Sequence, residues 1–425
     1  MSEIAVISAR SAPVDAGRHY HLDGLRGLAA LVVVFHHFVL ASDFALYTGR
    51  AEDSRGAWDL WLASLPLETG LPGNLAVCLF FALSGYVLAG SFSRTSLGVT
   101  ALIVRRYIRL GLPIFVVVMT AWALYATGAI QNQAVAPLTH SSWLSMNMPG
   151  QLTIWQALGD GVYGSLILGY TSFDSSLWTM SIELVGSLLL IFIFVGTRMC
   201  CRPETLNRWR GLLLFLAVVA TYNSYLFLFS IGAAMAVFDL RRHYRRWCTN
   251  PWMTACTIAV GLVFGMVSES HARPYFVSWI MIHTPISRIS LPFPATFGMT
   301  SGEPFWHAWG AVLLLAAIDG SPRLRQIFSA RYFKFLGQIS FPLYLIHVPI
   351  LLSVGCGLYS LLIGHDVPVA LATAIAFIAY VCVAIAAGMA LNPVETFAVR
   401  LSGYVGLATQ AIEVRMRQML TRRPG

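Results

Sequence analysis

One arginine and two adjacent histidines stand inside a single apolar run, HLDGLRGLAALVVVFHHF, from His21 to Phe38. An ionisable side chain in a membrane-length apolar segment costs roughly 3 kcal/mol, so by default it marks a functional position. His37 follows Arg26 by eleven positions. At 3.6 residues per turn that is about three turns with ~20° left over, which puts both side chains on one face, about 16 Å apart along the axis. His36 points about 100° away from that face. An imidazole so placed can serve as a general base, and an arginine on the same face can hold an anionic substrate or a developing oxyanion. Two further segments bring comparable groups. SLWTMSIELVGSLLL carries Glu183, and LGQISFPLYLIHVPI carries Tyr344 and His347. Burial pushes an imidazole toward its neutral form and a nearby carboxylate pushes it back, which is the balance a base near neutral pH requires. Each group also has a structural alternative, a helix-to-helix hydrogen bond for the histidines or an ion pair for Glu183. The alignment with Arg26 favours chemistry most strongly for His37.

The elements that position these residues are membrane helices. The chain has 425 residues, 57% of them hydrophobic and 11% charged, with a mean hydropathy of +0.69. A soluble domain would carry about 25% charged residues. The formal charge of +9 belongs to loop arginines, because Lys334 is the only lysine. In such a chain this balance reports basic cytoplasmic loops and not nucleic-acid binding. The seven cysteines are scattered without metal-ligand spacing or a disulfide framework, and no metal site is expected. The first twenty residues lack an apolar core with a cleavage site, so no removable signal peptide is expected.

Apolar runs lie near 22–42, 73–92, 111–128, 177–197, 211–222, 223–239, 252–268, 304–319, 338–360 and 368–391. Basic clusters at Arg94–Arg109, Arg198–Arg210, Arg241–Arg246 and Arg323–Lys334 are assigned to the cytoplasm by the positive-inside rule. The chain must then cross an even number of times between clusters. The semi-apolar run 152–170, broken by Gly159, Asp160, Gly161 and Gly164, is left as an outer-surface helix. Residues 211–239 are too few for two full crossings and read as a short helical hairpin breaking near Tyr222-Asn223-Ser224. The expectation is an all-α polytopic membrane protein with about ten transmembrane helices and both termini cytoplasmic. It comprises a tail over 1–20, a membrane domain over 21–402 and a basic tail over 403–425, the last as an interfacial helix or a disordered segment. Trp178 is expected at the outer interface, with Glu183 about 7–8 Å deeper. His347 is expected about 16 Å beyond Leu336, with a bend at Pro342. No inverted internal repeat is visible, which weighs against a transporter built from paired halves.

DGLRGLAALVVVFHH, LFFALSGYVLA, RRYIRL, LWTMSIEL and LGQISFPLYLIHVPI, in this order, resemble the acyltransferase-3 family of integral membrane O-acyltransferases. The resemblance runs from about Leu22 to Pro393. The family's arginine, ten residues, then histidine falls on Arg26 and His37. Its FFxLSG motif falls on Phe80, Phe81, Leu83, Ser84 and Gly85, its RxxR motif on Arg106 and Arg109, and its SxExxx-aromatic motif on Ser181 and Glu183. Ser187 stands where that motif has its aromatic residue, and Cys78 stands where many members carry an acid. The resemblance implies transfer of an acyl group, usually acetyl from acetyl-CoA, to a hydroxyl of an extracytoplasmic glycan or lipid-linked sugar, in a multi-pass protein of a bacterial inner membrane.

On that reading His37 is the catalytic base or carries a covalent acyl group, Glu183 or another carboxylate orients or charges it, and Arg26 binds the donor or the oxyanion. Arg106 and Arg109, at i and i+3 on one helix face, clasp the phosphates of CoA. Ser84, Ser181, Tyr344 and His347 join the donor- and substrate-binding set. The acceptor approaches through 129–176 and 269–303. The partners are acyl-CoA, the acceptor and membrane lipids, with no nucleic acid and no metal. Two rival classes are a proton-coupled transporter, for which mid-membrane His and Glu are also expected, and a non-catalytic assembly subunit.

Overall fold

Helix α1 (Tyr20–Ser42) carries Asp23 in its first turn and ends at Asp43, whose φ of −158° leaves the helical region. An acidic residue there complements the partial positive charge of a helix N-terminus. In the computed structural model, which describes residues 19–65, 72–238, 240–267, 281, 283–288, 299 and 302–421, no strand occurs among the described residues. Among the helices that follow, those that frame the site and the bundle are α2 (Gly73–Arg94), α3 (Val99–Ala126), α4 (Ile154–Gly159), α5 (Trp178–Ile191), α6 (Pro203–Ala220), α7 (Tyr225–Val237), α8 (Pro251–Gly265), α9 (Gly302–Gly320), α10 (Arg331–Ile350) and α11 (Val369–Thr421).

Among the described residues, six helical stretches are long and apolar enough to cross a membrane: Tyr20–Ser42, Gly73–Arg94, Val99–Ala126, Ser175–Cys200, Arg331–Gly364 and Val369–Met419. Length and composition thus single out fewer spans than the ten expected. The difference lies in α6 to α9, which are short or carry charges near their ends. The hairpin expected over 211–239 is present as α6 and α7, broken at Thr221–Ser224 with Asn223 at φ 58°. Its tip reaches the start of α2, where the Tyr225 hydroxyl donates to Asn74 Oδ1 at 2.9 Å. The Tyr225 ring meets Phe81, eight positions into α2, at 5.7 Å.

Glycines set the frame around α1. A Cβ on Gly27 would lie 2.5 Å from the backbone nitrogen of Gly337, and one on Gly337 would lie 2.5 Å from the carbonyl oxygen of Asp23. Helices α1 and α10 therefore touch backbone to backbone, the small-residue contact that drives helix association where lipid removes the hydrophobic incentive. Lower down, the α1 end is tied to α9: His21 Nε2 is 2.9 Å from Oδ1 of the fully buried Asp319, which also accepts from Tyr244. Gly85 plays the matching part for α2, where an added Cβ would lie 2.3 Å from the Phe229 carbonyl of α7.

Residues 154–168 depart from the outer-surface placement. Helix α4, opened by a capping box between Thr153 and Gln156, continues as a π-helix from Asp160 to Leu168 and turns at Gly169, φ 74°. The Tyr125 hydroxyl donates to the Gly150 carbonyl at 2.9 Å. Further on, Phe115 lies 3.0 Å from where a Gly161 Cβ would be, and Leu166 lies 3.5 Å from a Cβ on Gly111. The segment thus runs antiparallel to α3, back from its last turn to Gly111, a descent of about 22 Å. Val162, Tyr163, Ile167 and Leu168 on it are exposed, and its helical backbone satisfies itself, as a lipid-facing segment must. The parity argument excluded a crossing but could not distinguish a helix lying flat from one that dips and returns.

The Trp178 ring lies 5.3 Å from that of Tyr225. Helix α11 runs unbroken past residue 402, and Gln410 Oε1 accepts from the Gly98 amide at the start of α3 at 2.7 Å. That part of the tail is therefore a helix packed on α3. Residues 1–18, most of 268–301 and the end of the tail, with Arg422 and Arg423, lie outside the described residues. So does most of the second expected acceptor approach.

Candidate active site

A cavity of about 140 Å³ opens among α1, α2, α3, α5, α10 and α11. One end is lined by Arg26, Arg106, Arg109, Glu183 and Glu395; the walls are Val77, Phe80, Phe81, Val87, Leu88, Leu110, Met180 and Phe341, and Ser84, Thr179 and Tyr344 complete it. Tertiary structure thus brings together Arg26, Ser84, Arg106, Arg109, Glu183 and Tyr344 of the residues expected from sequence. The FFxLSG stretch divides by function: Phe80, Phe81 and Ser84 face the cavity, whereas Leu83 is fully buried and Gly85 admits α7.

Glu183 is not beside His37. Its Oε1 lies 2.5 Å from Nη2 of Arg106, whose Nε donates to Ser187 Oγ at 2.9 Å. Ser187 Oγ in turn donates to the Glu183 carbonyl at 2.5 Å. The serine at the position where the family motif has an aromatic ring therefore supplies an acceptor for Arg106. With Arg106 so engaged, Arg26 and Arg109 remain with Glu395, which is within electrostatic range of both. The cavity floor carries three arginines and two glutamates, a surplus of positive charge.

His37 and His347 lie outside that lining. Each follows its contact glycine, Gly27 or Gly337, by ten positions. On parallel helices an equal rise of about 15 Å brings both imidazoles to one level. Their ring centroids are 4.8 Å apart, and His347 Nε2 is 3.1 Å from His37 Nδ1. His37 Nδ1 is also 3.0 Å from the Val33 carbonyl, and Trp143 flanks the ring at 5.4 Å. His36 faces elsewhere, packed so that a Cβ on Gly73 would lie 2.4 Å from its ring. Between the histidines and the cavity stand Tyr344, 5.7 Å from His347, and Phe80, 5.4 Å from Tyr344. The Tyr344 hydroxyl is held by Thr179 at 2.9 Å and by the Ser176 carbonyl at 3.2 Å. Ser181 is buried and donates to the Trp178 carbonyl, outside the lining.

The acyltransferase-domain family matches residues 19–392. The chain belongs to the acyltransferase-3 family. It is an integral membrane acyltransferase that transfers groups other than aminoacyl groups. Among similar curated proteins is the O-acetyltransferase PaAT-1 of Phomopsis amygdali, 24% identical over 394 residues, covering 81% of this chain and 75% of that protein. Acyltransferase R4 of a Phoma species is 23% identical over 415 residues, 80% of this chain and 84% of its own. Acyltransferase clz18 of Cochliobolus lunatus is 24% identical over 409 residues, with coverage of 80% and 84%. No solved structure matches the chain. These relatives are fungal and lend no support to the bacterial inner membrane expected above.

Glu395 and Thr179 are cavity residues of this acyltransferase that sequence reasoning missed. Glu395 carried a signal, as it is the only charged residue between Asp366 and Arg400. Thr179 carried none, since a threonine inside an apolar helix commonly bonds its own backbone. No cluster of three or more metal-ligating side chains occurs among the described residues.

Proposed function

We propose that this acyltransferase moves an acyl group, acetyl in the simplest case, from cytoplasmic acyl-CoA to a hydroxyl of an extracytoplasmic glycan or lipid-linked sugar. On this reading the chain makes about ten crossings with both termini in the cytoplasm. The observation that carries the proposal is the polarity of the cavity. It is cationic at the Arg26–Arg109 end and apolar along its walls toward Phe80 and Tyr344, matching a donor that is polyanionic at one end and a thioester at the other. Arg109 and Arg26 bind phosphate oxygens by charge-assisted hydrogen bonds, while Arg106 holds the wall together through Glu183.

His37 is the general base. Its imidazole takes the proton of the acceptor hydroxyl as the oxygen attacks the thioester carbonyl. The carbon–sulfur bond then breaks, and the CoA thiolate recovers the proton. Arg26 starts about 16 Å below His37 along α1, beyond the reach of one side chain, so its role is donor binding and not oxyanion stabilisation. The thioester passes the Phe80–Tyr344 pair to reach the base.

The test is the purified full-length protein in detergent with acetyl-CoA and a lipid and glycan extract of its host membranes. Release of the CoA thiol with acetyl label appearing on an extracted hydroxyl compound is expected. Proton-driven flux in liposomes without thiol release would overturn the reading.

A further inference from the structure

Two backbone carbonyls fix where the protons sit on the paired histidines. His347 Nδ1 is 2.6 Å from the Tyr344 carbonyl oxygen. A carbonyl only accepts, so this nitrogen carries the hydrogen and the neutral ring keeps its lone pair on Nε2. That lone pair faces His37 Nδ1 at 3.1 Å. His37 Nδ1 also faces a carbonyl, that of Val33, at 3.0 Å, so it too carries its hydrogen and shares it between the two acceptors. The remaining lone pair of the dyad is on His37 Nε2, which has no hydrogen-bond partner among the described residues, on a ring that is only partly buried. His347 is fully buried, at 0% exposure, and cannot itself meet a substrate.

We propose that His347 is the positioning residue for His37: an imidazole acceptor that, fixed by the Tyr344 carbonyl, holds the His37 ring with its basic Nε2 toward the acceptor hydroxyl. This rests on the reading of His37 as the base. It assigns to a neutral imidazole the part that a carboxylate plays in a Ser-His-Asp triad, namely to set tautomer and orientation and to stabilise the imidazolium that forms. Glu183 is occupied by Arg106 and does not fill that place. The equal ten-residue offsets from Gly27 and Gly337 make the pairing a consequence of helix register. When His37 Nε2 takes the hydroxyl proton, the ring becomes cationic and its Nδ1–H bond to His347 Nε2 strengthens. When the thiolate recovers that proton, the starting tautomers return. No proton leaves the dyad over the cycle.

Three full-length variants decide it, assayed for CoA thiol release from acetyl-CoA with the host membrane extract. His347→Phe keeps an aromatic ring and removes the acceptor; kcat should fall about 10–100-fold, the scale for losing a ring-orienting partner, with the KM for acetyl-CoA changed less than about twofold, as expected for loss of an interaction made only in the transition state. His347→Gln offers an amide oxygen near the lost Nε2 and should stay within about fivefold of wild type. His37→Ala should be inactive. Equal loss in the Phe and Gln variants, or a loss confined to KM, overturns the positioning role. If His347→Phe fails to insert, the Gln variant alone decides, since a drop beyond fivefold contradicts rescue by an acceptor. An inactive His37→Ala with a fully active His347→Phe rejects the relay alone. An active His37→Ala rejects the base and the relay together.

Discussion

Arg106 of α3 and Glu183 of α5 are joined by an ion pair of 2.5 Å across the cavity wall, with side chains 9% and 13% exposed. Removing one member of a buried pair leaves the other charge uncompensated and costs about 3–5 kcal/mol. Arg106→Gln and Glu183→Gln should therefore both lower the thermal unfolding midpoint in detergent, each by more than the double variant does. A cycle of the two single variants and the double variant measures this. Additive losses would show that the pair contributes no coupling.

Arg109 has no such commitment to Glu183. Arg109→Gln should raise the apparent KM for acyl-CoA about tenfold, the scale of one hydrogen bond to a charged group, with kcat little changed. Arg26→Gln should behave in the same way and not as a kcat variant, because Arg26 lies at the cavity floor. A kcat effect confined to Arg26→Gln would place it at the reacting carbonyl after all.

His37 and His36 should part company under substitution. His37→Ala should lose roughly 10²–10⁴-fold in turnover, the contribution of a general base. His36→Ala should retain activity and lose some stability, since its ring packs on Gly73. Initial rates and unfolding curves of the two variants, measured side by side, provide the check.

The descending segment 154–168 makes a labelling prediction. Ser145 is exposed, while Ser172 is half-buried just past the turn at Gly169. In a background lacking reactive native cysteines, Ser145→Cys should react with an impermeant maleimide added outside. Ser172→Cys should react slowly from either side. Rapid outside labelling at Ser172 would restore the outer-surface helix.

Asp43, just past the end of α1, carries a pH signature. Burial, with Asp59 adding to it and Arg55 opposing, pushes its carboxyl from the ordinary 3.8 up to about 6, and neither carboxylate oxygen has a hydrogen-bond partner among the described residues. Between about pH 4 and 6 the folded state holds this proton and the unfolded chain does not, so stability falls as pH rises through that window and is then level. Asp43→Asn should flatten the fall, raising the unfolding midpoint at pH 8 relative to wild type and matching it at pH 4. Parallel midpoints across the range would show that Asp43 ionises freely in the fold.

The sequence alone determined what periodicity and solvation physics control. Apolar runs required membrane helices, the break at Tyr222–Ser224 required a hairpin, and the eleven-residue spacing put Arg26 and His37 on one face. Motif order marked most of the cavity lining before any contact was known. Tertiary structure decided which side chains meet. Glu183 could pair with His37 or with Arg106, and the choice fell to Arg106 because α5 packs beside α3 with Ser187 small enough to admit the guanidinium. His347 became the neighbour of His37 because Gly27 and Gly337 let α1 and α10 touch, and equal rises on parallel helices then fixed the level of both rings. Hydropathy counts crossings by length, so it placed 152–170 at the surface and could not see a helix that descends along α3 and turns back. Pairing between distant helices depends on the packing of side chains hundreds of positions apart, and no local pattern encodes it.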